Sequence, residues 1–121
     1  MKRFIVALIL CFFSCGLLLA QTYENYADSV DRYTEERNWG RAEEMLKRAL
    51  EKEPANPNNY LLLSNLGTVH RNMGRLADAL KDYDNALSIT PNAVAILHNR
   101  AALLLEMDST ERAYSDYARI K

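Results

Sequence analysis

The sequence predicts an all-α fold: an α-solenoid of three antiparallel helix hairpins, preceded by a hydrophobic signal helix. Three observations carry that reading. After residue 20, apolar side chains recur at i, i+3, i+4 and i+7, the spacing of one helix face. Turn-forming residues cut this pattern into segments of helix length. The pattern also repeats itself: Ala42 to Ala79, Ala49 to Ala86 and Pro54 to Pro91 are each 37 residues apart, and Ala79 to Ala113 is 34. An internal period of that size marks a stack of short units.

Residues 1–20 have the pattern of a signal peptide. Met1-Lys2-Arg3 is a positive n-region, Phe4 to Leu19 is almost continuously apolar, and Ala20 before Gln21 offers a small residue at the cut. Two alternatives follow it in rank. Lipidation at Cys15 is opposed by Phe12 and Phe13 before it and by apolar Leu17 to Ala20 after it. An uncleaved anchor over residues 4–20 would sit at the lower edge of what spans a bilayer, about 17 residues. The expected location is therefore outside the cytoplasm, in the periplasm or cell envelope. Cys11 and Cys15 both fall in this segment, so cleavage after Ala20 leaves no cysteine for a disulfide, a thiol nucleophile or a metal site.

The first hairpin is expected over residues 23–56. Tyr26, Val30 and Tyr33 form an apolar stripe, Asn38-Trp39 fills the turn, and Ala42, Leu46 and Ala49 face the seam before Pro54. Trp39 is expected to pack against its own hairpin. The second, residues 57–91, is the most regular. Leu63, Leu66, Gly67 and His70 share one face of its first helix; Leu76, Ala79, Leu80, Tyr83, Ala86 and Leu87 share one face of its second. Gly74 stands where a helix end favours positive φ, and Pro91 stops the second helix. Gly67 and Ala79 are small enough to let two backbones approach closely. Asn56-Pro57 resembles an N-cap followed by proline at the first helical position, which predicts an extra helical turn at the start of this hairpin. The third hairpin, residues 92–121, carries Leu97, Arg100-Ala101, Leu104, Ala113, Tyr117 and Ile120, with Asp108 at the glycine position; aspartate tolerates the left-handed conformation. It has neither a closing proline nor a polar capping helix, so the chain is expected to be part of a longer protein.

Leu63, Leu66-Gly67 and His70, followed by Ala79, Tyr83, Ala86 and Pro91, resemble the signature of the tetratricopeptide repeat family, in which Trp, Leu-Gly and Tyr precede Ala, Phe and Pro over about 34 residues. Leu63 at the tryptophan place and His70 at the tyrosine place are departures. The resemblance implies a right-handed superhelix of three repeats: a divergent one over 23–56, one over 57–91 and an incomplete one over 92–121. It also implies a concave groove, lined by the first helix of each hairpin, that takes peptide or protein segments. Counted from the seam, the side chains facing that groove are Asp28 and Asp31, then Asn65, Thr68 and Asn72, then His98, Asn99 and Ala102. An asparagine there offers a donor and an acceptor to an extended backbone. Ala27, Asp31 and Ala95 stand where a clamp for a peptide carboxylate would need cations or amides, and the acidic first helix suits a neutral or basic segment.

No motif for chemistry is present. The glycines, Gly16, Gly40, Gly67 and Gly74, form no phosphate loop, and no metalloprotease or nucleophile-elbow pattern occurs. His70 and His98 have no cysteine or clustered carboxylates beside them in sequence, and His70 is expected to be packed and hydrogen-bonded. Asp82, Asp84, Glu43 and Glu44 are expected on solvated helix faces. Formal net charge is −1, and −3 once Lys2 and Arg3 are set aside with the acid-free first twenty residues, which is no footprint for nucleic acid. The expectation is a non-catalytic exported interaction module, a scaffold or adaptor without cofactor, metal or small-molecule substrate, binding a protein or peptide and touching membrane only through a retained or lipidated N-terminus. The alternative is a docking or regulatory portion of a larger enzyme or secretion machine.

Overall fold

The computed structural model describes residues 28–120. The signal peptide, Cys15, Tyr26 and Lys121 lie outside them. Helix α1 occupies residues 28–35 of the described chain, followed by α2 Trp39–Lys52, α3 Asn59–Asn72, α4 Leu76–Ile89, α5 Val94–Glu106 and α6 Thr110–Arg119. From α2 on, successive helices pack on one another, α3 also touches α5, and Val30 of α1 joins the cluster of α2 and α3 side chains, so the hairpins stack in sequence order. No helix among the described residues is long and apolar enough to cross a membrane.

One turn geometry closes all three hairpins. The first helix ends on a residue with positive φ: Arg37 at 56°, Gly74 at 77° and Asp108 at 58°. The amide of the next residue then reaches back five places to a helix carbonyl, Asn38 to Tyr33, Arg75 to His70 and Ser109 to Leu104, each at 2.8 Å. These bonds satisfy carbonyls that a helix end leaves unpaired. The same three residues, Asn38, Arg75 and Ser109, are the N-caps of the second helices. Gly74 and Asp108 take their expected roles. In the first hairpin the left-handed residue is Arg37, ahead of the Asn38-Trp39 pair assigned to the turn.

The start of the second hairpin differs from expectation. The N-cap of α3 is Asn58, and Asn56 stands before it, its Oδ1 accepting the Asn58 amide at 2.9 Å. The Asn56 carbonyl accepts from Asn59 in a single tight turn, and α3 begins only at Asn59. The surplus residues form a connector, not an extra turn of α-helix. Asn59 is held there by its side-chain amide, which donates to the Glu53 carbonyl at 2.7 Å.

The seams are apolar and tight. Ala42, Ala79, Ala86, Ala101 and Ala113 are fully buried, as are Leu46, Tyr83 and Leu103. Val30, Leu62, Leu66 and Val69 join Leu46 in one cluster, with Tyr33 and Trp39 packed against it. Leu63, half-buried, packs against the second cluster around Tyr83. A Cβ built on Gly67 would stand 2.8 Å from Tyr83 Cε1, so glycine here is a requirement of helix approach.

Buried ions join the hairpins. His70, on α3, is bonded through Nδ1 to Asp82 of α4 and through Nε2 to Glu43 of α2, each at 2.5 Å. This corrects the sequence reading three times: carboxylates do flank His70, Asp82 is only 8% exposed, and Glu43 is half-buried at a junction of helices. Glu43 also accepts from Arg75 at 2.7 Å. Burial pushes the Glu43 carboxyl up, but the His70 hydrogen bond, Lys47 and Arg75 outweigh it and leave it below the usual range. For Asp82 burial wins over the His70 bond, and its carboxyl lies above the usual range. Asp84 is exposed, as expected. The third hairpin has its own version. Arg100 forks onto both oxygens of buried Asp116, at 2.8 and 2.6 Å, and reaches Asp84 of α4 at 2.9 Å.

Two measurements test this packing. Gly67→Ala drives a methyl into a fully buried ring and should lower unfolding free energy by about 1–3 kcal/mol, whereas Gly40→Ala, with nothing within 4 Å, should be neutral or stabilising. Urea denaturation of the two variants decides this. The second test is pH. Glu43 is held below the ordinary carboxyl value of 4.5, so its contribution is present above that pH and is lost as pH falls through the folded value. Asp82, raised above 3.8, acts in the opposite sense, favouring the fold at low pH and losing that effect as pH rises through its folded value. Glu43→Gln should therefore flatten the acid limb of a stability–pH profile, and an unchanged limb would contradict the assignment.

Candidate interaction surface

The first helices of the hairpins, α1, α3 and α5, present one side away from the seams. Repeat spacing sorts that side into levels: Asp28, Asn65 and Asn99, then Asp31, Thr68 and Ala102, then Glu35, Asn72 and Glu106. Asp28, Asp31, Asn65, Asn72 and His98 are exposed, while Thr68, Asn99 and Ala102 are half-buried.

Thr68 is the best-fixed of these side chains. Its hydroxyl lies 3.2 Å from the Ser64 carbonyl and 2.8 Å from the Tyr83 hydroxyl. Tyr83 comes from the far side of the seam, its ring lying against Gly67. Burial pushes the Tyr83 hydroxyl up, so it stays protonated at neutral pH. Asn72 turns its amide onto the Thr68 carbonyl at 2.8 Å, leaving its own oxygen outward. Asn65 and Asn99 have no hydrogen-bond partner for their side chains among the described residues. His98 stacks edge-on to Tyr117 of α6, with ring centroids 6.0 Å apart, so it belongs as much to the third seam as to the groove.

Between α1 and α3 lies a depression of about 80 Å³ lined by Val30, Asp31, Thr34, Asn65, Thr68 and Val69. It brings together three of the sequence-predicted groove residues, Asp31, Asn65 and Thr68. Asp31 forms no ion pair among the described residues. Sequence reasoning missed Thr34, one helical turn beyond Asp31, and the ion pair of Arg71 with Glu106, whose Nε–Oε1 distance is 2.8 Å. That pair ties α3 to α5 across the groove. It also missed Leu61 and Leu105, 51% and 43% exposed, which share the faces of Asn65 and His98. A second depression, about 150 Å³, lies between α5 and α6 and includes Arg100, Arg112 and Arg119. There Arg100 is neutralised by Asp116 and Asp84, and Arg119 donates to the Pro91 carbonyl. Among the described residues no group of three or more His, Cys, Asp or Glu side chains is placed to hold a metal ion.

Comparison with known proteins bears on this arrangement. Residues 60–93 match the model of the tetratricopeptide repeat family. FlbA of Caulobacter vibrioides is 37% identical over 73 residues, 60% of this chain but 12% of FlbA. A tetratricopeptide repeat protein from Parabacteroides merdae superposes with a TM-score of 0.80 at 44% identity, over 83% of this chain and 39% of that one. The second such domain of Spaghetti (RPAP3), solved with the HSP90 peptide SRMEEVD, gives a TM-score of 0.74 at 19% identity, over 83% of this chain and 90% of that one. The chain thus spans a minor part of FlbA and of the Parabacteroides protein. The stretch from Tyr60 to Ala93 is a tetratricopeptide repeat, and the stacked hairpins around it give the described chain the fold of tetratricopeptide repeat proteins.

Proposed function

We propose that the chain is a non-catalytic interaction module of the cell envelope, a scaffold or adaptor that holds a peptide or protein segment along α1, α3 and α5. The observation that carries this reading is the pair Asn65 and Asn99: equivalent places on neighbouring first helices, with side-chain amides free of hydrogen bonds among the described residues. Spaced by one repeat, they offer donors and acceptors to an extended backbone. The Spaghetti domain shows that this fold accepts a peptide. That peptide is acidic, and the exposed Asp31 on the groove here opposes such a ligand. Export rests on the pattern of residues 1–20. A second reading, a docking or regulatory part of a larger protein, is favoured by the small share of FlbA and of the Parabacteroides protein that the chain covers.

Two experiments decide. Pulldown from envelope extracts should recover a partner with the parent chain and lose it, by about tenfold or more, with Asn65→Ala/Asn99→Ala; equal recovery removes the groove from the account. Mass spectrometry of the chain expressed in its host should find Gln21 as the mature N-terminus, in the periplasmic fraction. A lipid on Cys15, or retention of residues 1–20, would replace cleavage with one of the alternatives.

A further inference from the structure

We propose that the depression between α1 and α3 is a pocket for one lysine side chain of the bound segment. This rests on the groove reading and specifies its partner: a segment with a lysine placed over the first two hairpins.

The lining matches the two halves of a lysine. Val30 and Val69 are buried apolar residues at its floor, 3% and 1% exposed, and offer a surface for methylenes. Asp31, Thr34, Asn65 and Thr68 supply a carboxylate, two hydroxyls and an amide around them. An ammonium has three hydrogens to donate and nothing to accept with, and this wall provides oxygen acceptors in excess. Long cationic side chains lay their stems on apolar surface and carry the charge at the tip.

Alternative occupants fit less well. A volume of about 80 Å³ falls far below that of a small-molecule site, which runs roughly 300–1,000 Å³. A metal ion needs several strong ligands, and Asp31 is the sole carboxylate in the lining. An anion would meet Asp31 with no cation among the lining residues to offset it. Most other carboxylates near the seams already have partners: Glu43 with His70 and Arg75, Asp82 with His70, Asp84 and Asp116 with Arg100, Glu106 with Arg71. Asp31 stands apart from them, a carboxylate on a pocket rim with no cation paired to it among the described residues. Thr68 is held beforehand by Tyr83 and Ser64, so that part of the wall adds little ordering cost on binding.

The test is selection of random linear peptides on the full chain, followed by affinity measurement on synthetic copies. Selected peptides should carry lysine at one fixed position. Replacing that lysine with norleucine, which keeps the stem and drops the charge, should weaken binding by about tenfold at low salt, and by less at high salt. Asp31→Asn should erase the difference between the two peptides. Glu51→Gln, an exposed acid on α2 away from the groove, should preserve it. Peptides that bind through Asn65 and Asn99 but show no lysine preference would overturn the pocket and leave the groove standing. A lysine preference that survives Asp31→Asn, or falls equally with Glu51→Gln, would likewise overturn it. Failure to select any peptide, or binding indifferent to Asn65→Ala/Asn99→Ala, would remove both readings.

Discussion

The distance between the two helices of a hairpin governs the rest of this structure. It is set by residues with almost no side chain: Ala42, Ala79 and Ala113 at full burial, and Gly67 against the Tyr83 ring. A tight seam lets the Tyr83 ring pass beneath Gly67 and present its hydroxyl to Thr68 on the opposite surface. The position of a polar group on the groove is thereby decided by packing on the other side of the helix. A wider seam would keep the same groove residues and lose their fixed geometry.

Stability and arrangement come from different interactions. Full burial of a leucine such as Leu46, Leu97, Leu103 or Leu104 contributes about 1.5–3 kcal/mol, whereas an exposed pair such as Arg41 with Glu44 contributes about 0–1 kcal/mol. The buried groups, His70 with Asp82 and Arg100 with Asp116, carry a desolvation cost close to their mutual attraction. Their effect is to decide which helix lies against which. Deleting one partner would be costly because the other would remain buried without a counter-ion.

How much of this was legible in the sequence follows a physical line. Positions fixed by local geometry or by repeat spacing were readable: Gly74 and Asp108 at the turns, Gly67 at a close approach of helices, the alanines of the seams. The exposed face of α3 was readable for the same reason, since it is simply the face opposite the seam. Contacts between hairpins were not. Glu43 meets His70 across 27 residues of sequence, and nothing around Glu43 distinguishes it from Glu44 beside it. Asp82 was assigned to water although it neighbours the buried Tyr83. One signal was available: Asp82 and Asp116 are 34 residues apart, and an acid recurring at the repeat period on a second helix points to a structural place. Arg37 was missed because arginine gives no local hint of positive φ; only its alignment with Gly74 and Asp108 does.

The two buried acids differ in where their hydrogen-bond partner comes from. Asp82 takes it from His70, Asp116 from Arg100, one helical turn earlier in its repeat; Leu66 and Leu104 fill the vacated places. Shifting the stack by a whole repeat would leave both of these acids a partner one helical turn away, but it would set Glu43, which His70 holds, against Leu104, where Leu80 packs in the native order. Chains built from near-identical units are prone to pair out of step or to exchange units with a neighbouring copy. Here such an error would strand buried charge, so the alternation works as a key that only the correct order fits.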